Sequence, residues 1–234
     1  MKISIVLPIH NEYKNLNFLI ESWSKELNYL KNISYEFVLV EDGSTDGTKE
    51  LIKKLEEIYP IKNLSINEKR GYTKAVLDGI EASSGDYILC TDSDNQIKVR
   101  SLINNVKNLP EEGFFLIGFR NPRKDPINRI LYSKLFKILH DVLFNSKLKD
   151  PSCPFVIGKK NDYKKLPINL LTQMREGFWW GFVATCQRID LKFIEVPIEH
   201  FERKEGEAGY SITKLPGIIV RNIIGLLKIK FSAL

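Results

Sequence analysis

The chain has 234 residues, a length common among single α/β domains, and 43% of them are hydrophobic, enough for a sizeable core. Its 35 Lys and Arg against 29 Asp and Glu leave a formal charge of +6, and 14 Gly with 10 Pro are too few for a disordered or fibrous chain. Three scattered cysteines (Cys90, Cys153, Cys186) give neither a metal-ligand spacing nor a disulfide framework, and no apolar run reaches the ~20 residues that span a bilayer.

In chain order, Lys2 to Leu7 is short, β-branched and stopped by Pro8, as a buried strand would be. Leu16, Leu19, Ile20, Trp23, Leu27 and Leu30 then recur at helical spacing. Tyr35 to Val40 is the second expected strand, running into Glu41-Asp42-Gly43-Ser44, after which Thr45 or Asp46 can cap a helix striped by Leu51, Leu55 and Ile58. A weaker strand over 63–67, a helix over 73–83 and a strand over 86–91 follow, the last leading into Asp92-Ser93-Asp94. Further strands are expected over 114–119, 155–157 and 193–198, with helices over 128–145 and around Phe178-Trp179-Trp180.

Strands alternating with helices predict a doubly wound, mostly parallel sheet, whose ligands bind where the strands end. The polar clusters His10-Asn11-Glu12, Glu41-Asp42 and Asp92-x-Asp94 fall at those ends. Asp92 and Asp94, two apart, can aim both carboxylates to one side, and hard oxygen ligands suit Mg²⁺ or Mn²⁺ held jointly with a diphosphate. Gln96 can add an oxygen. Alone, Asp92-Ser93-Asp94-Asn95 also fits a solvated turn. No G-x-G-x-x-G or Walker sequence is present, and the three histidines form no zinc or Ser/His/Asp pattern.

Pro8-Ile9-His10-Asn11-Glu12, Glu41-Asp42-Gly43-Ser44-x-Asp46-Gly47-Thr48 and Gly85-Asp86-Tyr87 followed by Asp92-x-Asp94-x-Gln96 together resemble the family 2 glycosyltransferases of GT-A fold. The likeness is strongest to the polyprenyl-phosphate, dolichyl-phosphate mannosyltransferase-like members and covers residues 1–214. It implies a metal-dependent, inverting transfer of one sugar from a GDP- or UDP-sugar to a polyprenyl phosphate, with no nucleic-acid partner. Pro8, Asn11, Glu12, Glu41, Asp42, Lys69, Asp92, Arg203 and Lys214 would bind the nucleotide sugar, and Asp92, Asp94 and Gln96 the metal. Asp94, Arg120, Arg129 and Ser133 would carry catalysis, with the arginines and serine on the acceptor phosphate. Glu41, Pro154 and the 206–210 stretch depart from the family's usual residues. Two alternatives stay open: transfer to a glycan hydroxyl, with Asp150 as base, and a catalytically silent membrane-associated partner.

On a helical wheel, residues 128–145 place Leu131, Tyr132, Leu135, Phe136, Ile138, Leu139, Val142 and Leu143 on one broad face, with Arg129, Ser133, Lys137 and His140 opposite. Packing of that apolar face on the domain and a position at the membrane interface both satisfy the wheel. Residues 214–234 form a second amphipathic segment, divided by Arg221 and Asn222 and so unsuited to spanning. The expected organisation is a transferase domain over 1–213 with a C-terminal amphipathic helix over 214–234. The apolar N-terminal run is interrupted at once by Pro8, His10 and Glu12, which does not read as a signal peptide. The expected location is peripheral, on the cytoplasmic face of a membrane.

Overall fold

Seven strands form one sheet: β1 (Lys2–Ile9), β2 (Ser34–Asp42), β3 (Ile61–Ile66), β4 (Tyr87–Thr91), β5 (Phe114–Arg120), β6 (Phe155–Lys159) and β7 (Lys192–Ile198). The computed structural model describes residues 1–203 and 215–233. The strand order is β3-β2-β1-β4-β6-β5-β7, and every neighbouring pair is parallel except the two that involve β6. The mostly parallel sheet expected from the alternating pattern is thus present, with one strand reversed.

Nine α-helices among the described residues flank it: α1 (Tyr13–Leu27), α2 (Thr48–Glu56), α3 (Tyr72–Ala82), α4 (Arg100–Asn105), α5 (Ile127–Phe144), α6 (Lys160–Lys164), α7 (Ile168–Leu171), α8 (Phe178–Arg188) and α9 (Leu215–Phe231). β1 explains the layering. Ile3, Ile5, Leu7 and Ile9 pack on one side with Leu16, Leu19 and Trp23 of α1, while Val6 packs on the other with Ala75 and Val76 of α3. A strand covered on both faces reads as a continuous apolar run, and burying each such side chain stabilises the fold by roughly 1.5–3 kcal/mol. At the start of α2 the cap position falls on Gly47, in a left-handed turn at φ 91°, and not on Thr45 or Asp46; Asp46, one residue earlier, accepts from the Thr48 amide at 3.1 Å.

α5 is oriented opposite to a packed amphipathic helix. His140 and Phe144 are buried, with Phe136 and Leu143 beside them, whereas Leu131, Leu135, Ile138 and Val142 face outward, Ile138 at 62% and Val142 at 77% exposure. His140, placed on the polar side by the wheel, is fully enclosed because its ring stacks near Trp180 and Phe144 and its Nε2 faces the Trp180 carbonyl at 3.2 Å. α9 docks on the domain through Leu226 and Ile229, which pack with Met174 and Trp180, and through Arg188, which donates to the Ile229 and Ser232 carbonyls. Its Val220, Ile224, Leu227 and Phe231, at four- and three-residue steps, remain exposed. Arg221, which divides the apolar run, pairs with Glu176 at 2.8 Å.

Candidate active site

Because β1, β2, β4 and β5 run in one direction, their C-terminal ends gather at one sheet edge, and the following loops carry most of the polar residues singled out above. After β1, Asn11 adopts φ 57°, a left-handed turn that asparagine tolerates, and its Oδ1 accepts from the Thr45 amide at 2.9 Å. Glu12 is buried. Its two oxygens accept from Asn15 Nδ2 at 2.6 Å and Arg203 Nη2 at 2.7 Å, and burial raises its pKa above the usual range.

After β2, the carboxylates turn inward. Asp42 accepts from the backbone amides of Arg70 and Gly71, both at 2.7 Å, so it fastens the loop that begins α3. Glu41 is fully buried, accepting from Ser65 Oγ at 3.1 Å and from the Ser44 amide. Gly43 sits at φ 70°, and a Cβ there would lie 2.7 Å from the Lys69 nitrogen, which is why this turn takes glycine. The Lys69 side chain is exposed beside it. Pro8 lies within β1, where its carbonyl accepts from Ser93 Oγ at 2.8 Å and ties β1 to the Asp92-Ser93-Asp94 turn.

After β4, Asp92 Oδ1 accepts from the Tyr72 hydroxyl at 2.6 Å, and Asp94 Oδ1 from the Gln96 amide at 3.1 Å. Arg203 lies across the pair's entrance, with Nη1 3.6 Å from Asp94 Oδ2. Burial raises the pKa of both aspartates, and the charge of Asp94 raises Asp92 further. Gln96 uses its Nε2 on the Phe201 carbonyl at 2.9 Å, zipping this turn to the segment after β7. Among the described residues no group of three or more His, Cys, Asp or Glu side chains could enclose a metal. Two adjacent carboxylates fit a hard divalent cation that completes its shell with diphosphate oxygens and water.

After β5 lies an arginine cluster. Arg120, at the strand end, grips Asp150 with Nε at 2.7 Å and Nη2 at 2.9 Å, and also donates to Ser152 Oγ at 2.7 Å. Asp125 stands among three arginines: Arg123 Nε at 2.6 Å, Arg120 Nη1 at 3.4 Å and Arg129 Nη1 at 3.6 Å. Arg123 also donates to Ser133 Oγ at 2.9 Å. Three cations against two carboxylates leave a net positive patch. It joins the aspartate pair electrostatically, since Arg120 acts on Asp92 and Arg129 on Asp94. The grip of Arg120 holds the Asp150 carboxyl at about 2, and a group that acidic is a poor proton acceptor at neutral pH.

Glu12, Asp92, Asp94 and Arg203 therefore meet at one place, with Arg120, Arg129 and Ser133 beside them. Glu41 and Asp42 also use their carboxylates on local structure, Gln96 uses its Nε2 there, and Lys214 lies outside the described residues. Three participants escaped the sequence reading. Arg123 and Asp125 sit in a polar Arg-Asn-Pro-Arg-Lys-Asp run that itself hinted at a charged loop, whereas nothing in the Lys69-Arg70-Gly71-Tyr72-Thr73-Lys74 stretch ties Tyr72 to an aspartate 20 residues later.

The profile of glycosyl transferase family 2 matches residues 4–168. Among curated proteins, the chain is 29% identical over 217 residues to an undecaprenyl-phosphate 4-deoxy-4-formamido-L-arabinose transferase of Yersinia enterocolitica, and 26% identical to that of Proteus mirabilis. Each match covers 92% of this chain but 64% of the relative, so the chain spans somewhat under two thirds of their length. Among solved structures, glucosyl-3-phosphoglycerate synthase from Mycobacterium tuberculosis, in complex with Mn²⁺, UDP and glucosyl-3-phosphoglycerate, superposes with a TM-score of 0.71 at 19% identity, covering 99% of this chain and 81% of that one. That likeness establishes the GT-A fold.

Proposed function

The chain belongs to glycosyl transferase family 2, and we propose that it transfers a single sugar from a nucleotide diphosphosugar to a polyprenyl phosphate at a membrane surface. The observation that carries this reading is the position of the arginine cluster. Arg120, Arg123 and Arg129 stand next to the Asp92–Asp94 pair, and Arg129 and Ser133 occupy the first turns of α5, whose outward face is apolar. A lipid phosphate presents that combination: a dianionic head on an aliphatic chain. The polyprenyl-phosphate relatives support the same acceptor class.

The nucleophile is a phosphate oxygen. With a second pKa near ~6 it is already ionised at neutral pH, so no general base is required. This agrees with Asp150 being locked as the counter-ion of Arg120 and speaks against attack by a sugar hydroxyl, which needs a base. Arg129, at 41% side-chain exposure, and Arg123 orient the acceptor, while Arg120 is held rigid by Asp150. Asp92 and Asp94 would hold a Mg²⁺ or Mn²⁺, which when bound neutralises the departing nucleotide diphosphate. Arg203, paired with Glu12 and Asp94, exchanges those carboxylates for the donor phosphates. Displacement from the face opposite the leaving group inverts the anomeric centre.

The outward stripes of α5 and α9 supply the membrane contact, peripherally and on the cytoplasmic face. No helix among the described residues is long and apolar enough to cross a bilayer. The test is Arg129→Ala with donor binding and transfer measured separately. Retained donor binding with transfer to undecaprenyl phosphate reduced on the order of 10²-fold supports the assignment; unchanged transfer refutes it.

A further inference from the structure

Tyr72 opens α3, and its hydroxyl is saturated by two bonds of opposite sense. It donates to Asp92 Oδ1 at 2.6 Å and accepts from Trp179 Nε1 at 2.8 Å. Tyr72 stands 20 residues before Asp92, and Trp179 comes 107 residues after Tyr72, so three separate elements converge on one carboxylate oxygen. Among the described residues, Asp92 Oδ2 has no hydrogen-bond partner. The chain of bonds therefore divides the carboxylate: Oδ1 is committed to the protein and Oδ2 is turned free.

Both ends of this chain are rigid. Trp179 is buried in the first turn of α8, edge-on to Phe178 at 5.0 Å and Phe182 at 5.5 Å between ring centres. The turn leading into α8 is fastened to α3 a second time, where Thr73 Oγ1 donates to the Met174 carbonyl at 2.6 Å. Gly177 begins the helix at φ 75°, and a Cβ there would lie 2.9 Å from Asn222 Nδ2 of α9, leaving this segment little room to shift.

We propose that Tyr72, held in place by Trp179, is the positioning residue of the cation site, fixing the rotamer of Asp92 so that Oδ2 faces the ion. This rests on the reading of Asp92 and Asp94 as the pair that binds cation and diphosphate. A tyrosine hydroxyl suits the task because it donates without adding charge. A lysine or arginine at the same place would neutralise the carboxylate and compete with the ion. Trp179 Nε1, which can only donate, forces the Tyr72 proton toward Asp92 and so fixes the direction of the bond.

The experiment is a Mn²⁺ titration of the full chain, following the EPR signal of free Mn²⁺, for the wild type, Tyr72→Phe, Trp179→Phe and Asp92→Asn. Metal-free melting of each variant is recorded alongside. The wild type is expected to bind Mn²⁺ and Asp92→Asn to lose binding. Tyr72→Phe is expected to bind 10–100-fold more weakly, the usual cost of removing a group that orients a metal ligand, while its metal-free melting shows a folded protein. Trp179→Phe weakens binding in the same direction by a smaller factor. A wild type that does not bind, or an Asp92→Asn that binds equally well, overturns the cation assignment and the proposal with it. Wild-type affinity in Tyr72→Phe, with Asp92→Asn inactive in binding, overturns the positioning role alone. Should Tyr72→Phe fail to fold, unchanged affinity in Trp179→Phe overturns it.

Discussion

Asp92 and Asp94 set two like charges in a recess where burial already disfavours ionisation. A carboxyl whose folded pKa is raised contributes stability below its unfolded pKa and loses it as pH rises through the folded value. At neutral pH the pair therefore strains the metal-free protein and is relieved by a cation. Asp92→Asn keeps an acceptor for Tyr72 and removes the repulsion. It is expected to raise the metal-free melting temperature by about 2–4 °C, the response of a domain this size to roughly 1 kcal/mol. It also abolishes the further rise caused by Mn²⁺ and reduces transfer on the order of 10²–10³-fold. A lower melting temperature in Asp92→Asn would contradict the strain. Arg123, tied to Ser133 and Asp125, was reached only through the structure, because a pairing across ten residues of loop and helix leaves no spacing rule to read.

Among the elements, α5 shows most plainly what a helical pattern leaves open. A wheel records which residues share a face but not which face meets the protein. Here Trp180 and α9 claim the narrow side with Phe136, His140 and Phe144, and the broad apolar stripe is left outward. Replacing exposed Leu135 and Ile138 together by Glu is expected to leave melting nearly unchanged, since neither is buried. Co-sedimentation with anionic phospholipid vesicles should fall at least tenfold, because each apolar side chain entering the interface is worth roughly 1.5–3 kcal/mol. Vesicle binding equal to the wild type would remove α5 from the membrane contact. The strands at the site were legible for the opposite reason: Asp92-x-Asp94 and Glu41-Asp42-Gly43 are contiguous, so their chemistry and their strand-end placement appear in one short stretch. The reversal of β6 was not, since direction is decided by the long connection through α5 and not by the five residues of the strand.

Across the whole molecule, acid sensitivity follows from two enclosed histidines. Burial lowers His140 and His200 to about 4, and for His200 the nearby Arg120 adds to the effect. Their folded pKa lies below the unfolded 6.5, so the unfolded chain binds more protons between those values. Stability is full above about 6.5 and falls as pH drops toward about 4, by up to roughly 3 kcal/mol for each histidine. Urea unfolding at successive pH values measures this, and His140→Gln should flatten the slope; an unaltered slope would assign the effect elsewhere. The same view of the molecule joins the two halves of the proposed reaction, with the donor edge built by parallel strands and the acceptor edge by β5 and α5. The measurement that bears most directly on that union offers the purified chain a panel of labelled nucleotide sugars with Mn²⁺, and two acceptors side by side: undecaprenyl phosphate in vesicles and a free oligosaccharide. The account predicts a labelled lipid-phosphate product, lost in Arg129→Ala and Asp94→Ala, with no labelled oligosaccharide. Label in the oligosaccharide and none in the lipid would contradict it.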